Sequence, residues 1–162
     1  MQPLTILKLL VLLTIANGTP VIAKRLLGSR LVWPLDGGMR LWDGRPLFGT
    51  SKTLRGLFLA LVMTGLAAPL LGLSFGLGLL VGALTMAGDL LSSFIKRRMG
   101  RPSSGRALGL DQIPESLLPL LGVRDVLALS WADVALATLL FLGGELLVSR
   151  WLYRLRIRDE PY

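Results

Sequence analysis

The chain has 162 residues, 52% of them hydrophobic, with 18 Lys and Arg against 10 Asp and Glu, a formal net charge of +8, and neither cysteine nor histidine. Apolar content laid out in long blocks is too high for an ordinary soluble domain, so a single membrane-embedded domain over 1–162 is expected. The missing residue types exclude disulfides, thiolate nucleophiles, sulfur metal sites and histidine bases, which leaves carboxylates, hydroxyls, Lys, Arg and a hard divalent cation for any catalysis.

Taken in order, residues 4–23 form the first apolar stretch and predict a transmembrane helix. A signal peptide is the weaker reading, because no positive segment precedes the apolar core and Lys8 interrupts it. Asn17-Gly18-Thr19-Pro20 is expected to break this helix near its cytoplasmic end, either as a plain kink or with Asn17 lining a polar chamber. Residues 24–55 carry seven basic side chains. Their last part, Lys52-Thr53-Leu54-Arg55-Gly56, follows Gly49 and Ser51 and leads into the second stretch, 56–73. Glycines, hydroxyls and two cations at a helix entrance suit a phosphate cradle. It is not a P-loop, and cations at a membrane boundary also have a purely topological explanation. The third stretch, 75–95, ends at Lys96-Arg97-Arg98, after which 100–109 reads as a flexible basic loop. Residues 113–129 are interrupted by Pro114, Pro119 and Arg124-Asp125 and predict a short or irregular span, and 131–148 predicts the last.

Five spans put the basic segments 24–55, 96–106 and 150–158 on one face, which the positive-inside rule makes cytoplasmic, with the N-terminus outside and the C-terminus inside. These segments hold sixteen of the eighteen basic residues, so the positive charge has a topological account and no nucleic-acid partner is implied. The expected fold is an all-α, multi-pass protein of the cell membrane.

Asp89 stands out because it lies inside the third apolar run. At about 1.5 Å per residue it sits roughly 10 Å below the water boundary, where a carboxylate needs a cation. A turn of about 100° per residue aligns Gly78, Gly82, Thr85, Asp89, Ser93 and Lys96 in one stripe, small at one end and polar at the other. Asp89 either locks two helices through Lys96 or an Arg, or serves a ligand. Gly72 and Gly76, and Gly78 and Gly82, have the spacing of close helix packing. Asp111 and Glu115 reach the same level from the fourth stretch. Asp89, Asp111 and Glu115 together suit Mg²⁺, although Asp111 and Glu115 also answer a helix dipole. Glu145 is expected to pair with a basic residue near the cytoplasmic boundary. Asp36, Asp43, Asp133, Asp159 and Glu160 read as solvated.

The order of these motifs resembles the CDP-archaeol synthases, relatives of phosphatidate cytidylyltransferase. The resemblance rests on Ala16-Asn17-Gly18-Thr19-Pro20, Ser51-Lys52-Thr53-Leu54-Arg55-Gly56, Gly88-Asp89-Leu90 with Ser93-Phe94-Ile95-Lys96-Arg97-Arg98, and Asp111-Gln112. Three positions depart from the family's pattern. Thr50-Ser51 replace an Asp-Gly, Leu54 replaces a Trp, and Ile113-Pro114-Glu115 replace Leu-Asp after Asp111-Gln112. The resemblance implies cytidylyl transfer from CTP to a lipid phosphate in phospholipid biosynthesis, at a cytoplasmic site. Asp89, Lys96 and Asp111 would be catalytic, with Mg²⁺ on Asp89, Asp111 and Glu115. Asn17, Lys52, Thr53, Arg55, Ser93 and Arg97 would hold the substrates, and a groove beside Gly78 and Gly82 would admit lipid tails. A homodimer is compatible with this reading. The rival readings are a non-catalytic scaffold or lipid-phosphate binder that keeps the fold, and a small transporter.

Overall fold

The computed structural model describes residues 1–28, 30, 32–102 and 109–154, with side chains as far as 147. It is all helical: α1 (Pro3–Leu27), α2 (Leu54–Leu70), α3 (Phe75–Arg98), α4 (Gln112–Val123) and α5 (Trp131–Arg154). Among the described residues α1 and α3 are long and apolar enough to cross a membrane, and α2 is apolar but shorter. The basic loop expected over 100–109 lies in part, at 103–108, outside the described residues. Asp159, Glu160 and the tail beyond 154 lie there too.

Local chemistry sets the helix starts. Thr53 caps α2 by accepting a hydrogen bond from the Gly56 amide at 3.1 Å, and Ser74 caps α3 through the Leu77 amide at 3.2 Å. The turn between them needs Gly72, whose φ is +71°. Ser130 and Asp133 form a reciprocal cap on α5. The Asp133 amide donates to Ser130 Oγ at 3.1 Å, while Asp133 Oδ2 accepts from the Ser130 amide at 3.0 Å.

One expectation changes. Pro20 does not break α1, which runs unbroken over its 25 residues. Proline here forfeits only the bond to the Ala16 carbonyl, and the turn stays packed around buried Ala16. Within 113–129 the helix is short: α4 has 12 residues, about 18 Å at 1.5 Å each, against roughly 30 Å of hydrocarbon. Beyond Val123 the chain turns, with Ala128 at φ +49° and Arg124 stacked 4.3 Å from the Trp131 ring.

α3 is central, packed between α2 and α4, with α1 across α2 and α3 and α5 against α4 and α1. One core cluster draws on all five, including Leu9 and Leu12 of α1, Ala68 of α2, Val81 of α3, Leu120 of α4 and Phe141 of α5. Lipid is as apolar as these side chains, so fit rather than water exclusion holds such a core, and small residues mark the contacts. A Cβ on Gly78 would fall 2.5 Å from Ala68 Cβ and 2.7 Å from the Thr64 carbonyl, and one on Gly82 would fall 3.2 Å from Thr64 Cβ. Both glycines are therefore filled by α2, and they are not an open groove for lipid tails.

Asp133, expected in solvent, is buried and ties down the chain start. Its Oδ1 accepts from the Gln2 amide at 3.0 Å, while Gln2 Nε2 donates to the Ala128 carbonyl at 3.0 Å. At the opposite end lies the long α1–α2 loop, pinned by isolated bridges Pro34–Thr53 and Arg40–Pro46. Asp36 organises it, accepting from the amides of Gly38, Phe48 and Gly49 at 3.0, 2.9 and 3.1 Å. Partial burial would raise its pKa, but these backbone donors outweigh that and hold the carboxyl below its ordinary range. Asp43 accepts from Arg98 Nη1 at 2.7 Å. Neither behaves as a free surface acid.

Candidate active site

The site is built where three helices meet the long loop. Lys52, the last residue before the α2 cap, extends its ammonium group onto both oxygens of Asp89, 2.5 Å from Oδ2. The strand-like pairing of its backbone aims it there: Leu35 donates to the Lys52 carbonyl at 2.8 Å, and Leu54 to that of Trp33 at 3.0 Å. A cavity of about 60 Å³ opens beside this ion pair, lined on its polar side by Ser51, Lys52, Thr53 and Asp89. Pro20 and Leu57 contribute to its apolar wall. A Cβ on Gly56 would meet that of Pro20 at 3.2 Å, so a glycine lets α2 close against α1 at the cavity's edge.

The second carboxyl at this depth is Glu115. It is buried, lies against the Asp89 carboxyl, and feels the charges of Lys52 and Glu145. Gly88 makes that meeting possible. A Cβ there would stand 2.5 Å from the Pro114 carbonyl carbon and 2.7 Å from the Glu115 amide nitrogen. Backbone thus rests on backbone, and the first turn of α4 delivers Glu115 onto Asp89.

Asp111 goes elsewhere. It pairs with Lys96 Nζ at 2.7 Å, in a nearly enclosed contact. Lys96 lies two turns beyond Asp89, about 10 Å along α3 at 1.5 Å per residue, so this is a separate ion pair nearer the basic end. That differs from the expectation that Asp89 and Asp111 share one ion. α4 starts at Gln112, which leaves Asp111 at the mouth and puts Glu115 a turn inside. Among the described residues no three His, Cys, Asp or Glu side chains are grouped closely enough to hold a metal ion by themselves.

The other expected site residues divide. Thr53 lines the cavity and spends its oxygen on the helix cap. Ser93 is buried one turn beyond Asp89 on the same stripe. Arg97 is buried. Its Nη2 donates to the Pro102 carbonyl at 2.6 Å, while its Nε and Nη1 have no hydrogen-bond partner among the described residues. Asn17 lies one turn before Pro20, its Nδ2 buried without a hydrogen-bond partner among the described residues. Arg55 turns away from the cavity and donates to the carbonyls of Gly28 and Arg30, so it fastens the loop to the end of α1. Glu145 lies close enough to Glu115 for its charge to act on it. Nothing in the sequence marks that approach beyond its position in an apolar stretch.

Known proteins are similar to this chain. The family described as "CarS-like: CDP-archaeol synthase" matches residues 70–162. A CDP-archaeol synthase of Pyrobaculum arsenaticum is 42% identical over 91% of this chain and 92% of its own. One from Saccharolobus islandicus is 35% identical over 91% and 89%. The chain belongs to the CDP-archaeol synthase family. It is accordingly an enzyme of the nucleotidyltransferase class and a membrane protein. A solved structure described as an intramembrane enzyme for archaeal membrane lipids biosynthesis superposes with a TM-score of 0.69 at 27% identity, over 85% of this chain and 90% of that one. The matched residues 70–162 contain Gly88, Asp89, Lys96, Asp111 and Glu115, and the cavity completes them with Lys52 from the preceding loop.

Proposed function

We propose that this chain transfers the cytidylyl group of CTP to a lipid phosphate, forming a CDP-activated lipid of the CDP-archaeol or CDP-diacylglycerol type and releasing pyrophosphate. The observation that carries the reading is the meeting of Lys52, Asp89 and Glu115 beside a cavity with one polar wall, at the basic end of an apolar bundle. In the reaction a phosphate oxygen of the lipid attacks the α-phosphorus of CTP. The bond from that phosphorus to the α–β bridging oxygen breaks, and pyrophosphate departs with the electron pair. The nucleophile is already an anion at neutral pH, so a chain without His or Cys lacks nothing it needs. What remains is to neutralise crowded charge and to place the reactants in line.

The chain's own groups fit that task. Lys52 offers a cation on the cavity wall, and the start of α2 at Thr53 presents the positive end of a helix dipole to it. Lys96 and Arg97, nearer the basic end, would take the outer phosphates. Asp111 is a positioning group that holds Lys96. Asp89 and Glu115 fit Mg²⁺, which takes one or two carboxylates and completes its shell with waters and substrate phosphate oxygens. When bound, the ion would supply charge neutralisation for the triphosphate. The apolar Pro20 and Leu57 side brings a lipid phosphate to the same depth as the nucleotide. The long loop, the end of α3 and the start of α4 share one end of the bundle, which supports five traverses with the N-terminus outside and the site facing the cytoplasm.

Purified protein given CTP, Mg²⁺ and a panel of ether-linked prenyl and ester-linked diacyl phosphates should yield CDP-lipid and pyrophosphate in equal amounts. Asp89→Asn should lower turnover by about 10³-fold. No product from any lipid phosphate, or full activity in Asp89→Asn, overturns the reading.

A further inference from the structure

The α1–α2 loop carries a feature that the chemistry above does not use. Residues 39–47 form a hairpin in which the Leu41 and Leu47 amides donate to the Arg45 and Met39 carbonyls at 3.0 and 2.9 Å. Its turn closes through the Gly44 amide on the Leu41 carbonyl at 2.9 Å, with Gly44 at φ +70°. Trp42 stands at the tip and is 90% exposed, and Met39 at the hairpin's base is 57% exposed. Single exposed apolar side chains are ordinary. This pair is unusual in standing on a fastened base. Arg98 donates to Asp43 at 2.7 Å and to the Pro46 carbonyl at 2.5 Å, and Arg45 returns a hydrogen bond to the Arg98 carbonyl.

Arg98 is the last residue of α3, in the basic triplet that closes an apolar helix. The hairpin is thus fastened at the depth where that helix leaves hydrocarbon for headgroups, an argument that rests on reading α3 as a span. The charges agree. Lys24, Arg25, Arg30 and Arg40 are exposed on this loop and the adjoining end of α1. Both carboxylates of the loop are turned to internal donors, Asp36 to three amides and Asp43 to Arg98 and the Arg45 amide. A surface of Trp, Met and cations without competing acid matches an anionic leaflet.

We propose that the 39–47 hairpin is an interfacial foot: Trp42 and Met39 enter the headgroup region of the leaflet on the basic side, and Arg40 binds anionic lipid headgroups. The foot is continuous with the site. Phe48 and Gly49, next in the chain, are held on Asp36, and Lys52 follows directly onto Asp89. Seating the foot therefore sets the height of Lys52 relative to lipid phosphates in that leaflet, a consequence that rests on the proposed function.

The test leaves Trp42 as the lone tryptophan through W33F, W131F and W151F, with the full chain reconstituted in vesicles. The vesicles are phosphatidylcholine with or without phosphatidylglycerol, their acyl chains brominated either near the headgroup or near the methyl end. Trp42 emission should be blue-shifted and quenched about two-fold more by shallow than by deep bromines. Arg40→Glu should cut the shallow quenching when phosphatidylglycerol is present and leave it unchanged in phosphatidylcholine alone. Emission at the water maximum, quenched by aqueous iodide and indifferent to bromine, overturns the foot. Protection from both quenchers overturns it as well, and assigns the tip to a second copy of the chain. Should the triple variant fail to fold, W42F in the otherwise native chain gives the same readout by subtraction: no loss of shallow-quenched emission refutes the proposal. Quenching is measured without substrates, so a failure of CTP turnover bears on the proposed activity and not on the foot.

Discussion

Replacing Gly88 with Ala tests the geometry most directly, because one methyl group is added where α3 and α4 touch through backbone. The new Cβ would lie 2.5 Å from the Pro114 carbonyl carbon, with the carbonyl oxygen closer still, whereas ordinary contact begins at 3.4 Å. The helices must separate there by about 0.9 Å or more, and no side-chain rotation relieves a clash with a carbonyl. Overpacking of this kind costs about 1–3 kcal/mol. The larger effect should be on chemistry, since the displaced residue is followed directly by Glu115. A shift near 1 Å in a positioning group costs on the order of 10²-fold in rate. The control is Gly76→Ala, in the same helix with nothing within 4 Å of its Cβ, which should be neutral or stabilise by about 0.5–1 kcal/mol. CDP-lipid formation and thermal unfolding in detergent are measured for both. If Gly88→Ala matches Gly76→Ala in rate and melting temperature, the backbone contact does not set the site and the reasoning is wrong.

The remaining predictions concern single groups. Glu115→Gln should raise the Mg²⁺ concentration for half-maximal turnover by about ten-fold, one of the two proposed carboxylate ligands being lost. Asp111→Asn should leave the Mg²⁺ requirement alone and raise KM for CTP instead, which a pair of titrations separates. Asp36 has a depressed carboxyl, so its contribution to the loop is fully present above the ordinary value of 3.8 and is lost as pH falls through its lower folded value. Acid titration of Trp33 fluorescence should show the loop intact to about pH 4, and Asp36→Asn should erase that acid step while loosening the loop at neutral pH. Ser130→Ala should cost about 1 kcal/mol of stability through the lost α5 cap, seen in thermal unfolding, while turnover holds because the cap lies at the end of the bundle away from Asp89.

Some of this was readable without coordinates because it depends only on local pattern. Long apolar blocks and the clustering of cations are properties of consecutive residues, and they were enough for an all-helical membrane chain and for its basic end. Depth within one helix is likewise a matter of counting, which is why Asp89 could be singled out. The Ser130-x-x-Asp133 cap was also legible in principle, although Asp133 was expected in solvent. The caps of Asp36 and Asp43 were not, since a carboxylate that accepts loop amides leaves no periodic trace. The identity of Asp89's partners was beyond local pattern for a related reason. Lys96 shares its stripe but lies two turns away on the same rigid helix, whereas Lys52 arrives from a loop whose path depends on pairing with residues 33–35.

The amino-acid order by itself thus determined that a buried carboxylate lies near the basic end of a membrane helix and needs a cation. Only the tertiary structure decided that Lys52 supplies that cation and that Glu115, not Asp111, is the neighbouring acid. The choice depends on the height at which α4 meets α3, and contact between two backbones at Gly88 and Pro114 sets that height.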